Sequence, residues 1–418
     1  MSDKENKIRI VSSVLLVILL GITCFLIFTK DKNKNEKVNK EPVPHNDVAV
    51  DDFTYAFLKL DANKENYIYS PLSIKYALNM LQEGADGNTL DELNKILDNI
   101  TLTKYDNINK VLSLANSIFI RDTYKDKIKN NYIEILKDKF NAEVFFDEFK
   151  NANNINNWIS EKTFGIIKQM LTDDAVQDES LKVALVNALA IDMEWALPFE
   201  NEDTREAIFH KDANVDLKVA MMINSFDSEN VSYYQDDDYS IISLPLRRYD
   251  STQLEFIAVM PNSELQEFVT GDNFTSSLKE ELGKITTENN KIVIVKIPRF
   301  EFETKLDLVE DLKTMGLKEV FDPQNANLTK IGDTGLYVSD ILHKAKIEFS
   351  ERGIKAAAAT VITVKDNAIA MPEPKERIEI TFDKPFIFII RDKETQEVWF
   401  VGTVYDPVLW ESVKDNYR

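Results

Sequence analysis

Few side chains in this chain of 418 residues could carry covalent or metal chemistry. Its three histidines, His45, His210 and His343, are far apart in the sequence, and its one cysteine is Cys24. These residues lack the CxxC and HExxH spacings of zinc sites and leave no partner for a disulfide. A serine-hydrolase triad could be built on Ser73 and His343, but the GxSxG nucleophile turn is absent. The sequence therefore predicts neither an enzyme nor a metal or other cofactor.

The segment 351–371, ERGIKAAAATVITVKDNAIAM, combines two opposed conformational preferences. The alanines at 356–359 favour a helix, whereas the β-branched residues at 361–364 favour a strand. Gly353 lies at the start, where a hinge needs backbone freedom. If the segment pairs as a strand, alternate residues from 354 to 364 form a face without charge, so it could enter a sheet above a core. Considered alone, the segment is more simply interpreted as a surface helix or an edge strand.

The segment belongs to an acidic chain with ample apolar content. The apolar fraction of 44% is sufficient for a large core, and the formal charge of −21 repels nucleic-acid backbones. No basic helix face suited to a sulfated polysaccharide is present. We therefore expect neither nucleic acid nor a heparin-like polysaccharide as a partner.

The N-terminus carries a candidate membrane segment at residues 10–29, which are uncharged and long enough to span a bilayer. We interpret it as a transmembrane signal anchor that follows a tail of residues 1–9. The run is long for a cleaved signal peptide, and no small-x-small cleavage site follows it. Lipidation of Cys24 is less favoured because the apolar run continues to residue 28; cleavage and lipidation both remain open alternatives.

Residues 30–49 are rich in Lys, Asn and Glu, and we predict that they form a flexible polar stalk. Its lysines count against export by the positive-inside rule, but large domains translocate largely regardless of charge. The sequence thus predicts a single-pass protein of the cell membrane, anchored through residues 10–29, whose main domain is extracellular.

No linker interrupts residues 50–410, which we interpret as one domain followed by a C-terminal tail at 411–418. Three early stretches have helical patterns: DDFTYAFLKL, SPLSIKYALNMLQEGA and TLDELNKILDNI. Ser70 before Pro71 is a favourable cap for the second of them. From Leu181 onward, continuous apolar runs such as LEFIAVMP and EVWFVGTVYDP predict strands covered on both faces. Helices packed on large, mostly antiparallel sheets make an α+β domain.

Four blocks in this order resemble the serpin family across the domain. They are NYIYSPLSIKYALNMLQEGADGNTLDELNKIL, LVNALAIDMEWALPFENEDTREAIFH, ILHKAKIEFSERG, and TFDKPFIFIIRD with FVGTVYDP. The resemblance implies the serpin fold, with about nine helices on three β-sheets and an exposed reactive-centre loop. It also implies a suicide-type inhibitor of serine or cysteine proteases. The cleaved loop of such an inhibitor inserts into the main sheet and traps the target as an acyl-enzyme.

The resemblance assigns the ambivalent segment to the hinge and reactive loop. The hinge comprises Glu351, Gly353, Ile354, Ala356, Ala357, Ala358, Ala359 and Thr360. Family members usually have threonine or serine at Ile354 and glutamate at Lys355, so these departures bear on inhibitory efficiency. The scissile bond is expected between Asn367 and Ala368, with Lys365 and Ile369 as alternatives. A non-inhibitory serpin that acts as a binding or structural module is the alternative function.

The resemblance also implies a polar cluster beneath the opening strands of the main sheet, formed by Ser70, Ser73, Asn187 and His343, and an aromatic residue, Trp195, near the entry point of the loop. His343 is expected to be buried, with Ser70 or Asn187 as its hydrogen-bond partner. Such a polar network can be remade when strands slide apart. We expect the protein to be a monomer.

Overall fold

The computed structural model describes most of the chain from residue 53 to residue 417. The described ranges are 53–60, 63–97, 102–332, 335–354 and 375–417. Residues 47–418 group as one compact unit, which includes the range predicted to be a single domain. The tail, anchor and stalk predicted for residues 1–49 lie outside the described residues. Within the described ranges, no helix has the length and apolar composition needed to cross a membrane.

The described part of the chain contains ten α-helices. They are α1 Phe53–Leu60, α2 Pro71–Gly84, α3 Gly87–Ile96, α4 Asn130–Phe140, α5 Asn153–Lys162, α6 Asp173–Gln177, α7 Leu265–Thr270, α8 Phe274–Gly283, α9 Val309–Thr314 and α10 Trp410–Val413. Helices α1 to α3 coincide with the three helical patterns, which confirms that prediction. The hydroxyl of Ser70 caps α2 by accepting a hydrogen bond from the Ser73 backbone N–H over 3.1 Å, and Pro71 occupies the first turn.

Seventeen strands occur in the described residues. They are β1 Tyr67–Tyr69, β2 Leu112–Arg121, β3 Glu143–Asp147, β4 Val183–Ile191, β5 Met193–Glu194, β6 Arg205–Asp212, β7 Val215–Asp227, β8 Ser232–Gln235, β9 Tyr239–Pro245, β10 Leu254–Pro261, β11 Lys291–Pro298, β12 Phe300–Asp307, β13 Leu342–Ser350, β14 Gly353–Ile354, β15 Glu376–Thr381, β16 Phe386–Asp392 and β17 Val398–Val404.

A six-stranded antiparallel sheet in the order β1-β17-β16-β10-β9-β8 forms the centre of the core. Strands β10 and β17 are buried at every position, as predicted for strands covered on both faces. Phe256 of this sheet packs on Phe349 of β13, with 4.5 Å between ring centroids, and Phe349 stacks on Phe300 of β12 at the same distance. These rings join the core sheet to the strands above it. A second sheet has the order β15-β11-β7-β6.

The largest difference from the expected three sheets is a division within the main sheet. Strands β3-β2-β4 form one hydrogen-bonded group and β12-β13-β14-β5 another, so the described residues contain four sheets. The two groups are separate because no pairing joins β4 to β13 in the described part of the chain. The short strand β14 lies between β13 and β5 and holds them apart at one end. The α+β class is nevertheless as predicted.

Candidate functional site

A narrow apolar slot lies between the facing edges of β4 and β13, which no strand of the described residues joins. Its walls are Leu189, Ala190 and Ile191 of β4 and residues 345–348 of β13, and Ile354 of β14 lies at one end. The enclosed volume is about 20 Å³, which is room for about one water molecule. A β-strand needs roughly 4.8 Å from each neighbour. The slot therefore marks where a further strand could enter, and β4 and β13 would have to separate for it to do so.

The first residues of the predicted loop already lie in the sheet at the end of this slot. Gly353 and Ile354 form β14, which is antiparallel to both of its neighbours. On one side Phe349 pairs with Ile354 and Ser350 with Gly353, and on the other side Gly353 pairs with Glu194 and Ile354 with Met193. Only 2% of Ile354 is exposed. The chain thus turns back after β13 and begins a new strand before leaving the described residues.

Glycine at position 353 is required by the close approach of β5. A Cβ atom built on Gly353 would lie 2.1 Å from the carbonyl oxygen of Met193 and 2.8 Å from the Cα of Glu194. Both atoms are backbone atoms and cannot move aside independently. The sequence indicated a hinge glycine from its conformational freedom, whereas the structure adds this steric requirement.

The Glu351 carboxylate, at the turn between β13 and β14, is held on several sides. It is 4% exposed, and its Oε1 accepts hydrogen bonds from Thr204 Oγ1 over 2.7 Å and from the Tyr417 hydroxyl over 2.6 Å. Arg299 Nη1 lies 3.7 Å from Oε2. The carbonyl oxygen of Glu351 also accepts from the backbone N–H of Phe199 over 2.9 Å. These contacts fix the point from which the loop departs.

Sequence reasoning did not identify Thr204, Arg299 or Tyr417 as part of this site. Their partner Glu351 is distant from them in the chain, so no local pattern links them. Residues 411–417 were expected to be a tail. In the structure they form part of α10 and the 3-10 turn Lys414–Tyr417, which carries the Tyr417 hydroxyl.

Trp195 supports the same turn from the core side. Its indole Nε1 donates to the carbonyl oxygen of Ser350 over 2.8 Å, and its backbone N–H donates to the carbonyl oxygen of Arg352 over 2.9 Å. Its ring packs edge-on against Phe349 and Phe256. Trp195 thus lies beside the turn between β13 and β14.

The predicted polar cluster is assembled at the other end of the slot. His343 on β13 is 6% exposed, and its Nε2 accepts a hydrogen bond from the backbone N–H of Ser70 over 3.0 Å. The Ser73 hydroxyl donates to Oδ1 of Asn187 on β4, and Asn187 Nδ2 donates to Asn116 Oδ1 on β2 over 2.8 Å. Burial lowers the pKa of His343 to about 4. The expected partnership of His343 with Ser70 is present, through the Ser70 backbone.

The same geometry argues against a hydrolase site at Ser73 and His343. The Ser73 hydroxyl donates to an amide oxygen, and the accepting nitrogen of His343 is engaged by a backbone N–H. A serine nucleophile instead needs its hydroxyl within hydrogen-bond reach of the basic nitrogen. The cluster is therefore a structural network that ties α2 to the strands on both sides of the slot.

A connector between α5 and β4 covers the outer face of the slot. Ile166 and Ile167 of this connector line the slot. Lys344 of β13 donates to the carbonyl oxygen of Gln169 over 3.0 Å, which ties the connector to one wall. The guanidinium of Arg121, at the end of β2, donates to the carbonyl oxygens of Leu181, Val176 and Asp178 over 2.7 to 2.8 Å. The sequence provided no signal for this arrangement.

The predicted reactive residues themselves lie outside the described residues. These are Ala356, Ala357, Ala358, Ala359, Thr360, Lys365, Asn367, Ala368 and Ile369. The chain is described again from residue 375 and enters β15, which pairs with β11 in the second sheet. The loop thus connects two different sheets, while its scissile bond remains a prediction.

Comparison with known proteins agrees with this architecture. The family model described as Serpin (serine protease inhibitor) matches residues 48–407. Serpin B4 of Homo sapiens is 28% identical over 391 residues, which cover 84% of this chain and 96% of that protein. An uncharacterized serpin-like protein of Thermococcus kodakarensis is 29% identical over 380 residues, which cover 86% of this chain and 85% of the relative.

Solved structures give the same result. The native state of tengpin, a thermophilic serpin, matches with a TM-score of 0.70 at 28% identity, and the match covers 86% of this chain and 93% of tengpin. Human thyroxine-binding globulin in complex with thyroxine matches with a TM-score of 0.69 at 22% identity, covering 86% of this chain and 98% of that protein. The second likeness concerns the fold alone.

Proposed function

The chain belongs to the serpin family, and from that premise we propose that it is a single-use inhibitor of serine or cysteine proteases. The protease attacks the carbonyl of Asn367, or of a residue within about three positions of it. The cleaved loop then enters the slot between β4 and β13 as a new strand, and the protease stays attached as an acyl-enzyme. The chemistry belongs to the protease, and this protein supplies the insertion.

The observation that carries the proposal is the pairing of β14 at the end of the slot. Continuing its register along β13 would place Ala356 opposite Ile347, Ala358 opposite Ala345 and Thr360 opposite His343. Directly opposed residues on neighbouring antiparallel strands point to the same face. The odd-numbered residues 343–349 of β13 are the buried ones. Even-numbered loop residues would therefore face the core.

These inward residues are the ones without charge. Ile354, Ala356, Ala358, Thr360, Ile362 and Val364 would point inward, whereas Lys355 and Lys365 would point to solvent. The register on the β4 side would bring Thr360 beside Asn187, so a hydroxyl would enter the polar cluster. Burial of Ile362 and Val364 contributes roughly 1.5–3 kcal/mol each. Insertion would thus place apolar side chains over the core and one hydroxyl beside the polar cluster at the end of the slot.

The non-inhibitory alternative drew its support from two departures, at Lys355, which lies outside the described residues, and at Ile354. In the structure this side chain is buried opposite Phe349, so its size and apolar character suit the position. The inward positions that follow carry neither charge nor proline, which a strand entering a core requires. These residues favour inhibition over a purely binding or structural role.

The deciding experiment is incubation of the purified protein with a panel of serine and cysteine proteases. We expect at least one protease to form a complex that survives boiling in detergent, with equimolar loss of its activity. Loop cleavage should also raise the midpoint of thermal unfolding sharply. Clean cleavage of the loop with an undiminished protease and an unchanged midpoint would instead identify a non-inhibitory member.

We further propose that residues 10–29 anchor the protein in the cell membrane, with the inhibitory domain on the outside. The length and uncharged composition of that segment support the proposal. Treatment of intact cells with an added protease tests the orientation. An extracellular domain is cleaved under these conditions, whereas a domain inside the cell is protected until lysis.

A further inference from the structure

The C-terminal residues pack against the hinge although they lie outside the family match, which ends at residue 407. We call residues 408–417 the C-terminal clasp. Val408 joins the clasp to the core, since its N–H donates to the carbonyl oxygen of Arg299 over 2.8 Å and its own carbonyl oxygen accepts from the N–H of Ala220 over 3.0 Å. The rings of Trp410 and Tyr417 stack at 5.6 Å with 15° between their planes. This stacking orients the Tyr417 hydroxyl.

The Tyr417 hydroxyl links Arg299 to Glu351 through two hydrogen bonds. Arg299 Nη1 donates to the Tyr417 oxygen over 2.7 Å, and the Tyr417 hydroxyl donates to Glu351 Oε1 over 2.6 Å. Burial, with the hydrogen bond to Glu351, raises the pKa of Tyr417 to about 12, so the hydroxyl keeps its proton at neutral pH. A hydrogen bond from a hydroxyl to a carboxylate is stronger than one between neutral groups.

The position of Glu351 decides how the new strand starts. Glu351 lies between Ser350 and Gly353, which pair with each other across the turn. If the Glu351 carboxylate lost its buried contacts, the pairing of Ser350 with Gly353 would lose its alignment. The next pair, Phe349 with Ile354, would lose its alignment as well. A shift of one residue would turn the charge-free face of the entering strand away from the core.

We propose that the C-terminal clasp positions the hinge for loop insertion, and that Tyr417 acts as the positioning residue through its hydroxyl contact with Glu351. The clasp holds the turn in the register from which the inserted strand grows. This inference rests on the proposed inhibitory function for its consequence, but the restraint itself exists in the uncleaved protein and can be measured without a protease.

Amide hydrogen exchange of residues 351–354 in the full, uncleaved chain measures the restraint. Tyr417→Phe keeps the ring and its stacking but removes the donor to Glu351. Loss of a hydrogen bond to a charged group should speed exchange of these amides by roughly tenfold to a hundredfold. Ser412→Ala is the matched control, because the Ser412 hydroxyl donates within the clasp to the Leu409 carbonyl oxygen. Equal exchange in wild type and Tyr417→Phe would overturn the proposal.

The variants Glu351→Gln and Tyr417→Phe, alone and combined, separate positioning from general loosening. If the hydroxyl acts through Glu351, the double variant should exchange at residues 351–354 no faster than the more affected single variant. Multiplicative effects of the two changes would mean that they act independently, which would also overturn the proposal.

A protease that the wild type inhibits provides the functional readout. Tyr417→Phe should leave the rate of first encounter unchanged but raise severalfold the number of inhibitor molecules consumed per protease, since slower insertion allows more release by hydrolysis. An unchanged stoichiometry would exclude the positioning role in inhibition. If the wild type inhibits no protease, the proposed function fails, and the exchange measurements still decide whether the clasp restrains the hinge.

Discussion

His343 accepts a hydrogen bond from the backbone N–H of Ser70, with 3.0 Å between the two nitrogens. The contact joins the N-terminus of α2 to the strand that borders the slot. An imidazole nitrogen can accept only when it is unprotonated, and a helix N-terminus disfavours a positive charge. With its pKa lowered to about 4 by burial, His343 is neutral in the folded protein at physiological pH.

This contact predicts a loss of stability in acid. The pKa of His343 is about 4 when folded and about 6.5 when unfolded, so between these values the unfolded state binds more protons. Stability is therefore fully present above pH 6.5 and falls as the pH drops toward 4, by about 3 kcal/mol from this residue. Denaturation midpoints from pH 8 to 4 should fall less steeply in His343→Gln. If the midpoints of His343→Gln fell as steeply as those of the wild type, groups other than His343 would cause the acid sensitivity. His210→Gln, at an exposed position, is the control.

Gly353→Ala tests the close approach at the hinge. The added methyl would meet the Met193 carbonyl oxygen, so β14 should detach from β5 at a cost of about 1–3 kcal/mol. The variant should be cleaved by the target protease without trapping it. Gly283→Ala is the control, since a Cβ there meets no atom within 4 Å. Trapping by Gly353→Ala at the wild-type level would show that the close approach is not required for insertion.

A pair of arginine substitutions tests the register of the inserted loop. Ala358→Arg would place a charge on the core face opposite Ala345, whereas Ala357→Arg would place it on the outer face. Burial of an unpaired charge costs several kcal/mol, so Ala358→Arg should abolish both the covalent complex and the thermal stabilisation after cleavage. Ala357→Arg should retain both. The reverse pattern would mean that the inserted strand is shifted by one residue.

Arg121→Met tests the connector that covers the slot. Arg121 is 8% exposed and donates to carbonyl oxygens of four residues, and its guanidinium lies 4.9 Å from the Phe149 ring centroid. Removing it should lower the free energy of unfolding by about 3 kcal/mol, because buried carbonyl groups lose their donors. Arg121→Lys should restore little, since an ammonium lacks the planar fork.

The measurement is chemical denaturation of the uncleaved protein, together with hydrogen exchange in residues 163–182. Arg205→Met, at an exposed arginine, should change stability by less than about 0.5 kcal/mol. A comparable loss in both variants would mean that the effect of Arg121→Met is unrelated to the connector.

Local patterns in the sequence predicted many of the helices and strands. The cap at Ser70, the helices α1 to α3 and the fully buried strands follow from residue types a few positions apart, where helix and strand periodicities operate. The sequence also predicted a hinge at Gly353 and showed the charge-free alternation after it, and both remain predictions. The contacts of the Glu351 carboxylate could not be predicted, because Tyr417 and Glu351 are 66 residues apart and no periodicity relates them.

The sequence by itself determined the α+β class, and it predicted a hinge at Gly353 and a charge-free set of alternate residues after it. These properties depend on which side chains alternate along one stretch of chain. Only the tertiary structure decided that β4 and β13 do not pair with each other in the described part of the chain, that β14 already lies between β13 and β5, and that the C-terminal clasp contacts Glu351. The physical reason is that hydrogen bonds and packing between distant residues depend on the path of the whole chain, which no local pattern encodes.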